Sequence, residues 1–255
     1  AFALVLVCIH ERGEIVTSFL AEKRPAPSLN QLDNLNSSTP QSDWIERAKD
    51  AIEYSQGEAT LHERNNRGRR FKSAAWHLGN HNQNLRSYIG TEGWELGPRK
   101  LGKGKNEWSW RYSLRTLKRG EVAEEISRPP KSALSGHDTS VFVEHEKHNF
   151  QEWYHNTANG IEQGFTIRSK PAAHLKDQEL ELQAAIDSNL TVSIATHNEV
   201  VFEKDRESVL RYAGLKVIDA NGDLLPSKLS YSSQSEGHGI LSIVIDDRNA
   251  TYPIL

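Results

Sequence analysis

Methionine is absent from the sequence and cysteine occurs once, at Cys8. Because translation starts at methionine, we expect the 255 residues to be a mature or truncated piece of a longer product. A single cysteine excludes an intrachain disulfide framework and a zinc site built from several cysteines. Long apolar runs are also missing, since the opening segment AFALVLVC is far too short to span a bilayer. We therefore predict no membrane span and interpret this segment as a strand.

An excess of charge of one sign is missing as well. The chain has 31 Lys and Arg residues against 34 Asp and Glu, a net charge of -3, so the total does not favour a nucleic-acid partner. The distribution is uneven, because residues 61–120 carry 14 basic and 4 acidic side chains whereas residues 121–255 carry 12 and 21. One interpretation is internal charge matching, in which Arg86, Arg99 and Arg111 pair with acids of the second half.

Aromatic residues interleave with the basic residues of 61–120, and this pattern supports a different interpretation, a polyanion-binding groove. Cationic side chains neutralise phosphate or sulfate while aromatic rings stack on bases or sugars. An exposed patch of this kind would retain the chain on a heparin column in a salt-dependent way. The candidate polyanion-binding residues are Arg67, Arg69, Arg70, Lys100, Lys103 and Lys105.

The composition is that of a soluble globular protein, with 36% hydrophobic and 25% charged residues. Residues 1–42 are interpreted as an N-terminal strand and a linker, because the second half of this segment is rich in Pro, Ser and Asn. A short amphipathic helix is predicted over 43–53, where Asp43 and Glu46 form a capping box. We predict a β-rich domain over 43–170 that includes this helix. Residues 171–255 then form a second β-rich domain or the second half of the same sandwich.

Most of the remaining sequence alternates apolar and polar residues with the period of a half-buried strand. In 108–117 two tryptophans and a tyrosine share one face, and a hairpin is predicted around a turn at 146–149. Later short runs are broken by Asn-Gly and Asp-Asp turns, which is typical of a sandwich. The stretch 175–185 is compatible with helix or strand. The predicted fold class is all-β of the β-sandwich type, with two packed sheets or two successive smaller ones and one short N-terminal helix.

Weak metal-binding candidates occur in two places. Three histidines and intervening glutamates lie over 145–155, and such ligands can hold zinc when three or four of them converge. The segment 219–223 has oxygens at alternate positions like a calcium loop, but the same residue types form tight turns between strands. We favour a turn there and expect no cofactor. The weak metal candidates are His145, His148 and His155, and Asp219, Asn221 and Asp223.

The sequence contains no familiar catalytic motif: a G-x-S-x-G elbow, a Gly-rich phosphate loop and H-E-x-x-H are all absent. Adjacent acids such as Asp246 and Asp247 point to opposite sides of an extended chain, so they do not clasp a glycosidic bond. Cys8 lies in an apolar run, where a thiol is typically inert. Enzymatic activity is therefore disfavoured, although folding can bring distant residues together.

The segment EWYHNTANGIEQGFTI, residues 152–167, resembles a motif of large secreted or surface proteins of bacteria that carry FG-GAP repeats. In that family a similar pattern lies in a β-rich region upstream of the repeats. The similarity continues through residues 79–100, 210–229 and 243–255, and it covers the chain from about residue 43 onward. No FG-GAP repeat occurs in the sequence itself. The resemblance implies an exported, β-sandwich-rich region that precedes a repeat array, and it supplies no catalytic residues.

The side chains of the matched motif residues are of the types that pack cores and form turns. Trp153, Tyr154 and Phe165 carry large rings suited to anchoring a core, and the two glycines permit turns. Glu162 is the motif acid whose apolar neighbours invite a functional question. We expect backbone N–H groups or an arginine such as Arg86 or Arg99 to satisfy its carboxylate. The motif residues are Glu152, Trp153, Tyr154, Asn156, Gly160, Glu162, Gly164 and Phe165.

The expected function is that of a non-enzymatic structural or interaction module outside the cytoplasm, as part of a bacterial surface or envelope assembly. Its expected partners are other protein subunits or a downstream repeat domain, with a polysaccharide as a further candidate. Two alternatives belong to other classes: a carbohydrate- or polyanion-binding module, and a hydrolase whose site assembles only in the folded chain. Two carboxylates facing each other across a cleft would favour the hydrolase.

Overall fold

The computed structural model describes residues 6–9, 57–62, 74–100, 107–172 and 177–255. These residues form short strands almost throughout, together with single-turn 3-10 helices at Lys131–Ala133 and Glu146–His148. The predicted all-β fold is therefore confirmed. Among these residues, no helix has the length and apolar character needed to cross a membrane. The predicted linker over 23–42 and the predicted helix over 43–53 lie outside the described residues.

The first sheet consists of eight antiparallel strands. Their order across the sheet is β13 (Thr191–Thr196), β14 (Glu199–Lys204), β15 (Glu207–Ala213), β1 (Leu6–Ile9), β11 (Gly160–Ile167), β10 (Phe150–Thr157), β9 (Ser140–His145) and β8 (Leu134–His137). The predicted N-terminal strand is confirmed as β1. It lies in the middle of the sheet, between two strands that are far from it in the sequence.

The second sheet consists of nine strands, and a separate small ribbon has two. The order across the second sheet is β18 (Ser227–Ser235), β19 (His238–Ile245), β12 (Leu180–Ser188), β6 (Trp110–Arg119), β5 (Gly93–Pro98), β4 (Leu85–Gly90), β3 (Ala75–Asn80) and β2 (Thr60–His62). The ninth strand, β7 (Val122–Glu125), pairs with β6 beside this path. The ribbon is formed by β16 (Val217–Ile218) and β17 (Leu224–Leu225).

The two sheets pack face to face around one continuous core, which makes the fold a sandwich. Aromatic rings from opposite sheets meet in this core. The ring centroids of Trp94 and Tyr154 are 5.0 Å apart, and those of Tyr112 and Tyr212 are 6.4 Å apart. Such pairs stabilise a core beyond the area that they bury. Each sheet combines strands from both sides of residue 170.

The strands repeat the alternation that the sequence predicts. Trp110 and Tyr112 of β6 both point into the core. The hairpin of β9 and β10 closes at 146–149, where Asn149 adopts a left-handed conformation with φ of 54°. The sequence left the stretch 175–185 undecided, and its residues from 180 onward belong to β12. Every second residue of β12 is buried, which is the pattern of a strand and not of a helix.

Candidate functional site

Three polar residues of the EWYHN segment and its neighbouring strand meet on the core-facing side of the first sheet. Glu152 and Tyr154 lie two residues apart on β10, and Gln163 lies opposite Tyr154 on β11. Side chains two residues apart on a strand share a face, so the strand pairing brings all three between the sheets. Glu152 is 5% exposed, and Tyr154 and Gln163 are completely buried.

The carboxylate of Glu152 is the centre of a hydrogen-bond network in the core. Its Oε1 atom accepts hydrogen bonds from the Tyr154 hydroxyl at 2.5 Å and from Gln163 Nε2 at 2.6 Å. The side-chain carbonyl oxygen of Gln163 accepts a hydrogen bond from the Tyr212 hydroxyl at 2.8 Å, which connects β11 with β15. A buried polar group that loses its partner costs about 1–3 kcal/mol. We call these four residues, with Tyr112, the core network.

Two tyrosines of the core network, Tyr154 and Tyr112, are held in their neutral form. Burial raises the pKa of Tyr154 well above its ordinary value, and the adjacent charge and hydrogen bond of Glu152 raise it further. Burial and the charge of Glu152 also raise the pKa of Tyr112, while hydrogen bonding with Gln163 opposes this rise. Their hydroxyl groups therefore remain donors throughout the physiological pH range. Permanent donors are what a carboxylate in an apolar core requires.

His145 brings an imidazole to the second carboxylate oxygen of Glu152. Its Nε2 atom lies 3.4 Å from Glu152 Oε2. Its ring stacks on Phe150, directly across the β9–β10 pair, with centroids 4.4 Å apart. The stacking and the buried position of His145 fix the ring against the core network. The carboxylate therefore has polar neighbours at both of its oxygens.

A small cavity reaches the core network from one side. Glu152, Tyr154 and His145 line it together with Arg115 and Arg128. The space open to the centres of water molecules is about 30 Å³, which is room for about two waters. Carboxylate, imidazole and phenol are groups capable of acid–base chemistry. The cavity therefore brings water to these groups.

Glu92 is a second acid that lines the cavity. A glycosidase places the scissile bond of its substrate between two carboxyl groups that are about 5–10 Å apart. Beside Glu152 the cavity has room for about two waters. In addition, Oε1 of Glu152 is already bonded twice within the core network. The hydrolase alternative stays a prediction, and these contacts do not favour it.

The three histidines considered as zinc ligands have three different surroundings. His145 belongs to the core. Nδ1 of His148 lies 2.9 Å from Oε1 of Glu124, and Nδ1 of His155 lies 2.6 Å from Oγ of Ser140. His155 is an odd-numbered residue of β10 and so points away from the core, unlike its even-numbered neighbours. In the part of the chain that the structure describes, no three His, Cys, Asp or Glu side chains form a group that could hold a metal ion.

The residues that resembled a calcium loop form the turn of the β16–β17 ribbon. Oδ1 of Asp219 accepts hydrogen bonds from the backbone N–H groups of Asn221 and Asp223, at 2.8 and 3.0 Å. Its Oδ2 accepts a hydrogen bond from the N–H of Thr251 at 2.9 Å. These bonds, that of Thr251 first, lower the pKa of Asp219. Gly222 provides the positive φ of 89° that the turn needs.

Lys100 is the candidate polyanion-binding residue that lies in the described part of the chain. It is exposed just after β5, and its backbone is held by the side chain of Asn84. Asn84 Nδ2 donates to the carbonyl oxygen of Lys100 at 2.8 Å, and Asn84 Oδ1 accepts from its N–H at 2.9 Å. The polyanion-binding groove stays a prediction. Five of its candidate residues lie outside the described residues, namely Arg67, Arg69, Arg70, Lys103 and Lys105.

Internal charge matching is found at an arginine that the sequence interpretation did not name. Arg119, at the end of β6, is 1% exposed and donates to both carboxylate oxygens of Asp247, at 2.8 and 2.7 Å. The Tyr252 hydroxyl also donates to Asp247, and Lys170 Nζ donates to the backbone carbonyl of Asp247 at 2.8 Å. This buried ion pair joins the basic middle segment to the acidic second half. Arg86, which was expected to pair with an acid, donates to the backbone carbonyl of Arg99 at 3.0 Å.

Asn156 of the motif connects the two sheets at one end of the sandwich. Its Oδ1 accepts a hydrogen bond from Asn80 Nδ2 at 2.9 Å, and its Nδ2 donates to the backbone carbonyls of Gly57 and Gly79. Asn80 is on β3, so these bonds link β3 with β10. The side chain of Asn156 is thus used for cohesion between elements.

The rings and glycines of the motif have unequal roles. Phe165 is buried in the core between the sheets, as expected. Trp153 is also buried, but it lies on the other face of β10 and packs against the ring of His155, with centroids 4.7 Å apart. Gly160 has a φ of 143° at the start of β11 and serves the predicted turn. The prediction of a turn at Gly164 is wrong, because this residue lies within β11 opposite Trp153.

Glu162 lies on the outer face of the first sheet, away from the core network. Its neighbours Ile161 and Gln163 are completely buried on the inner face, and Glu162 itself is opposite His155 in the β10–β11 register. Burial raises the pKa of Glu162 to about 7 and lowers that of His155. Arg86 follows the buried Leu85 on the second sheet and points to the opposite outside of the sandwich. Arg86 is therefore not the partner that we expected for Glu162.

Comparison of the chain with protein-family models, with curated proteins and with solved structures finds no match. The resemblance of residues 152–167 to proteins with FG-GAP repeats therefore stays a prediction. The function of the core network has to be argued from its geometry.

Proposed function

We propose that the chain is a non-enzymatic structural and interaction module that acts outside the cytoplasm, as one component of a bacterial surface or envelope assembly. Its partners in this proposal are other protein subunits or a repeat domain. The sandwich architecture supports the proposal, because a rigid two-sheet scaffold can present edges and loops to partners. The similarity of residues 152–167 to exported proteins with FG-GAP repeats supports the location and the kind of partner.

The observation that carries the proposal is that the polar motif residues are buried and hydrogen-bonded to one another. A glycosidase typically exposes carboxyl groups to its substrate. Glu152, Tyr154 and Gln163 instead bond to one another between the sheets, beside a cavity with room for about two water molecules. The residues with the most specific chemistry in the motif are thus engaged in the cohesion of the fold.

Substrate turnover by the wild type and by Glu152→Gln tests the proposal. We expect no turnover of chromogenic glycosides, esters or peptides by either protein. Glu152→Gln should lower the free energy of unfolding by about 1–3 kcal/mol, because the new amide group cannot accept hydrogen bonds from its neighbours at both positions. Glu121→Gln is the matched control, since Glu121 is exposed in the turn after β6. This control should change neither the turnover of substrates nor the free energy of unfolding.

Turnover would contradict the proposal if it were present in the wild type and in Glu121→Gln but lost in folded Glu152→Gln. The core network would then be catalytic. Far-ultraviolet circular dichroism shows whether each variant retains the strand content of the wild type, so that a loss of turnover is not confused with a loss of structure.

A further inference from the structure

Strand β13 forms one edge of the first sheet and is exposed along nearly its whole length. It pairs with β14 on one side, and on the other side the sheet ends within the described part of the chain. All of its residues except Val192 are exposed. An edge strand leaves alternate N–H and C=O groups without partners in the ladder. β13 is therefore a template on which one more strand can be added.

The edge strands β18 and β7 carry charges, which discourage the addition of a strand. β18 contains Lys228, and β7 contains Glu124 and Glu125. β13 has the sequence TVSIAT, with no charge, proline or glycine. Proteins normally protect an edge with charges or with a cover, so the unprotected edge of β13 indicates a use.

Both ends of β13 are fixed to the rest of the sandwich. Before the strand, Lys204 Nζ donates to the backbone carbonyl of Asn189 at 3.2 Å, and Leu190 is buried. After the strand, the N–H of Leu229 on β18 donates to the carbonyl of His197 at 2.7 Å. A strand held in this way loses little conformational freedom when it pairs with a partner.

The core-facing side of β13 ends in an uncovered apolar side chain. Val192 and Ile194 lie opposite Phe202 and Val200 of β14, which are both completely buried. Val192 packs against the core, whereas Ile194 is 51% exposed. The apolar layer between the sheets thus reaches this edge, where the side chain of Ile194 is left exposed. An added strand with apolar residues on the same face would cover Ile194 and extend the core.

We propose that β13 pairs with β13 of a second copy of this chain, antiparallel and about a two-fold axis at Ser193. This inference rests on the proposed interaction function and names the partner. The axis places Val192 of each copy opposite Ile194 of the other. Residues opposite each other in an antiparallel pair share a face, so both apolar pairs lie on the core-facing side. The first sheet then continues from one copy into the other.

The composition of β13 makes a second copy a suitable occupant. In an isologous contact the same segment supplies both sides, so a charged residue near the axis would face its like charge. β13 has no charged residue, and small or apolar side chains flank the axis at Ser193. The pairing also uses the regular part of the strand, because the register with β14 shifts only after Ile194.

Sedimentation velocity of the full chain over a concentration series tests the proposal. We expect a monomer–dimer equilibrium for the wild type. Ser193→Lys and Ile194→Lys should each weaken the dimer by about tenfold or more, because one puts like charges at the axis and the other puts a charge against Val192. Ser232→Lys is the matched control on β18, an edge strand of the second sheet, where Ser232 is exposed. It should leave the dimer unchanged.

Disulfide cross-linking provides a second measurement that does not depend on the stability of the lysine variants. Ser193→Cys should form a covalent dimer on mild oxidation, because the two copies of this residue face each other at the axis. Ser232→Cys, which has the same native Cys8 background, should form far less.

A wild type that stays monomeric over the series would overturn the self-pairing, as would a dimer that Ser193→Lys and Ile194→Lys do not weaken. Equal cross-linking of the two cysteine variants would also overturn it. Pairing of β13 with a strand of a different protein would appear as a monomer in these experiments. None of these results bears on the turnover assay, so a failure of this inference is distinguishable from a failure of the proposed function.

Discussion

At the scale of single residues, the adjacent Asp246 and Asp247 differ in burial, so their substitutions show how much more a buried charge matters than a partly exposed one. Asp247 is completely buried against Arg119, whereas Asp246 pairs with Arg248 at the surface. We expect Asp247→Asn to lower the free energy of unfolding by about 3–5 kcal/mol, because it leaves the buried Arg119 without a counter-ion. Asp246→Asn should have a much smaller effect. Urea unfolding measures both, and equal losses would contradict the role assigned to the buried pair.

We expect the contribution of Glu162 to the free energy of unfolding to decrease as the pH rises. Burial raises the pKa of its carboxyl to about 7 in the folded chain, whereas an unfolded glutamate titrates near about 4.3. The folded state therefore binds the proton more tightly. This stabilisation is complete below about pH 4.3 and is lost as the pH rises through 7. The cross-strand neighbour His155 does not reverse the trend, because burial lowers its pKa and keeps it neutral at neutral pH.

Glu162→Gln removes this titration, so the variant should be more stable than the wild type at pH 8. We expect a gain on the order of 2 kcal/mol at pH 8 and little change at pH 4, from urea unfolding at the two pH values. Glu179→Gln, at an exposed position before β12, is the control. A gain that is the same at both pH values would show that the burial of the charged carboxylate is not its cause.

Part of the core network follows from the sequence at this scale, and part does not. Glu152 and Tyr154 are two residues apart in a predicted strand, so their common face could be predicted. Gln163 lies in the matched segment, but its position opposite Tyr154 depends on the length of the turn between β10 and β11. Tyr112 and Tyr212 come from strands that are remote in the sequence. No local pattern indicates that both of their hydroxyl groups reach the side chain of Gln163.

At the scale of elements, alternation predicts which segments are strands but not how they pair. β12 begins in a stretch of good helix formers, yet it lies between two strands of a buried sheet, and burial on one face overrides helix propensity. The position of β1 between β15 and β11 depends on contacts across most of the chain. Pairings of this kind leave no signal in a single sequence, and they decide where the site residues meet.

The β16–β17 ribbon is the element most dependent on one side chain. The carboxylate of Asp219 accepts hydrogen bonds from the backbone of its own turn and from Thr251. Asp219→Ala should therefore lower Tm and increase the rate of amide hydrogen exchange in 219–225 and at Thr251. Asp223→Ala, at an exposed position of the same turn, is the matched control. Equal exchange rates in the two variants would contradict the role of the Asp219 carboxylate.

At the scale of the whole molecule, the core network lies where the two sheets meet, and it draws side chains from β10, β11 and β15 of one sheet and β6 of the other. Strands from both sides of residue 170 form each sheet, so these contacts join parts of the chain that are distant in sequence. Glu152 and its partners are therefore part of what holds the sandwich together. We propose that the motif builds this core and does not form an active site.

A double-mutant cycle between Glu152→Leu and Gln163→Leu, followed by equilibrium urea unfolding, tests this claim most directly. Each single variant should lose about 2–4 kcal/mol, because it leaves buried polar partners unsatisfied. The double variant should lose less than the sum of the two by about 1 kcal/mol or more, because the partners are removed together. Single variants that are as stable as the wild type, or losses that add without coupling, would contradict the account.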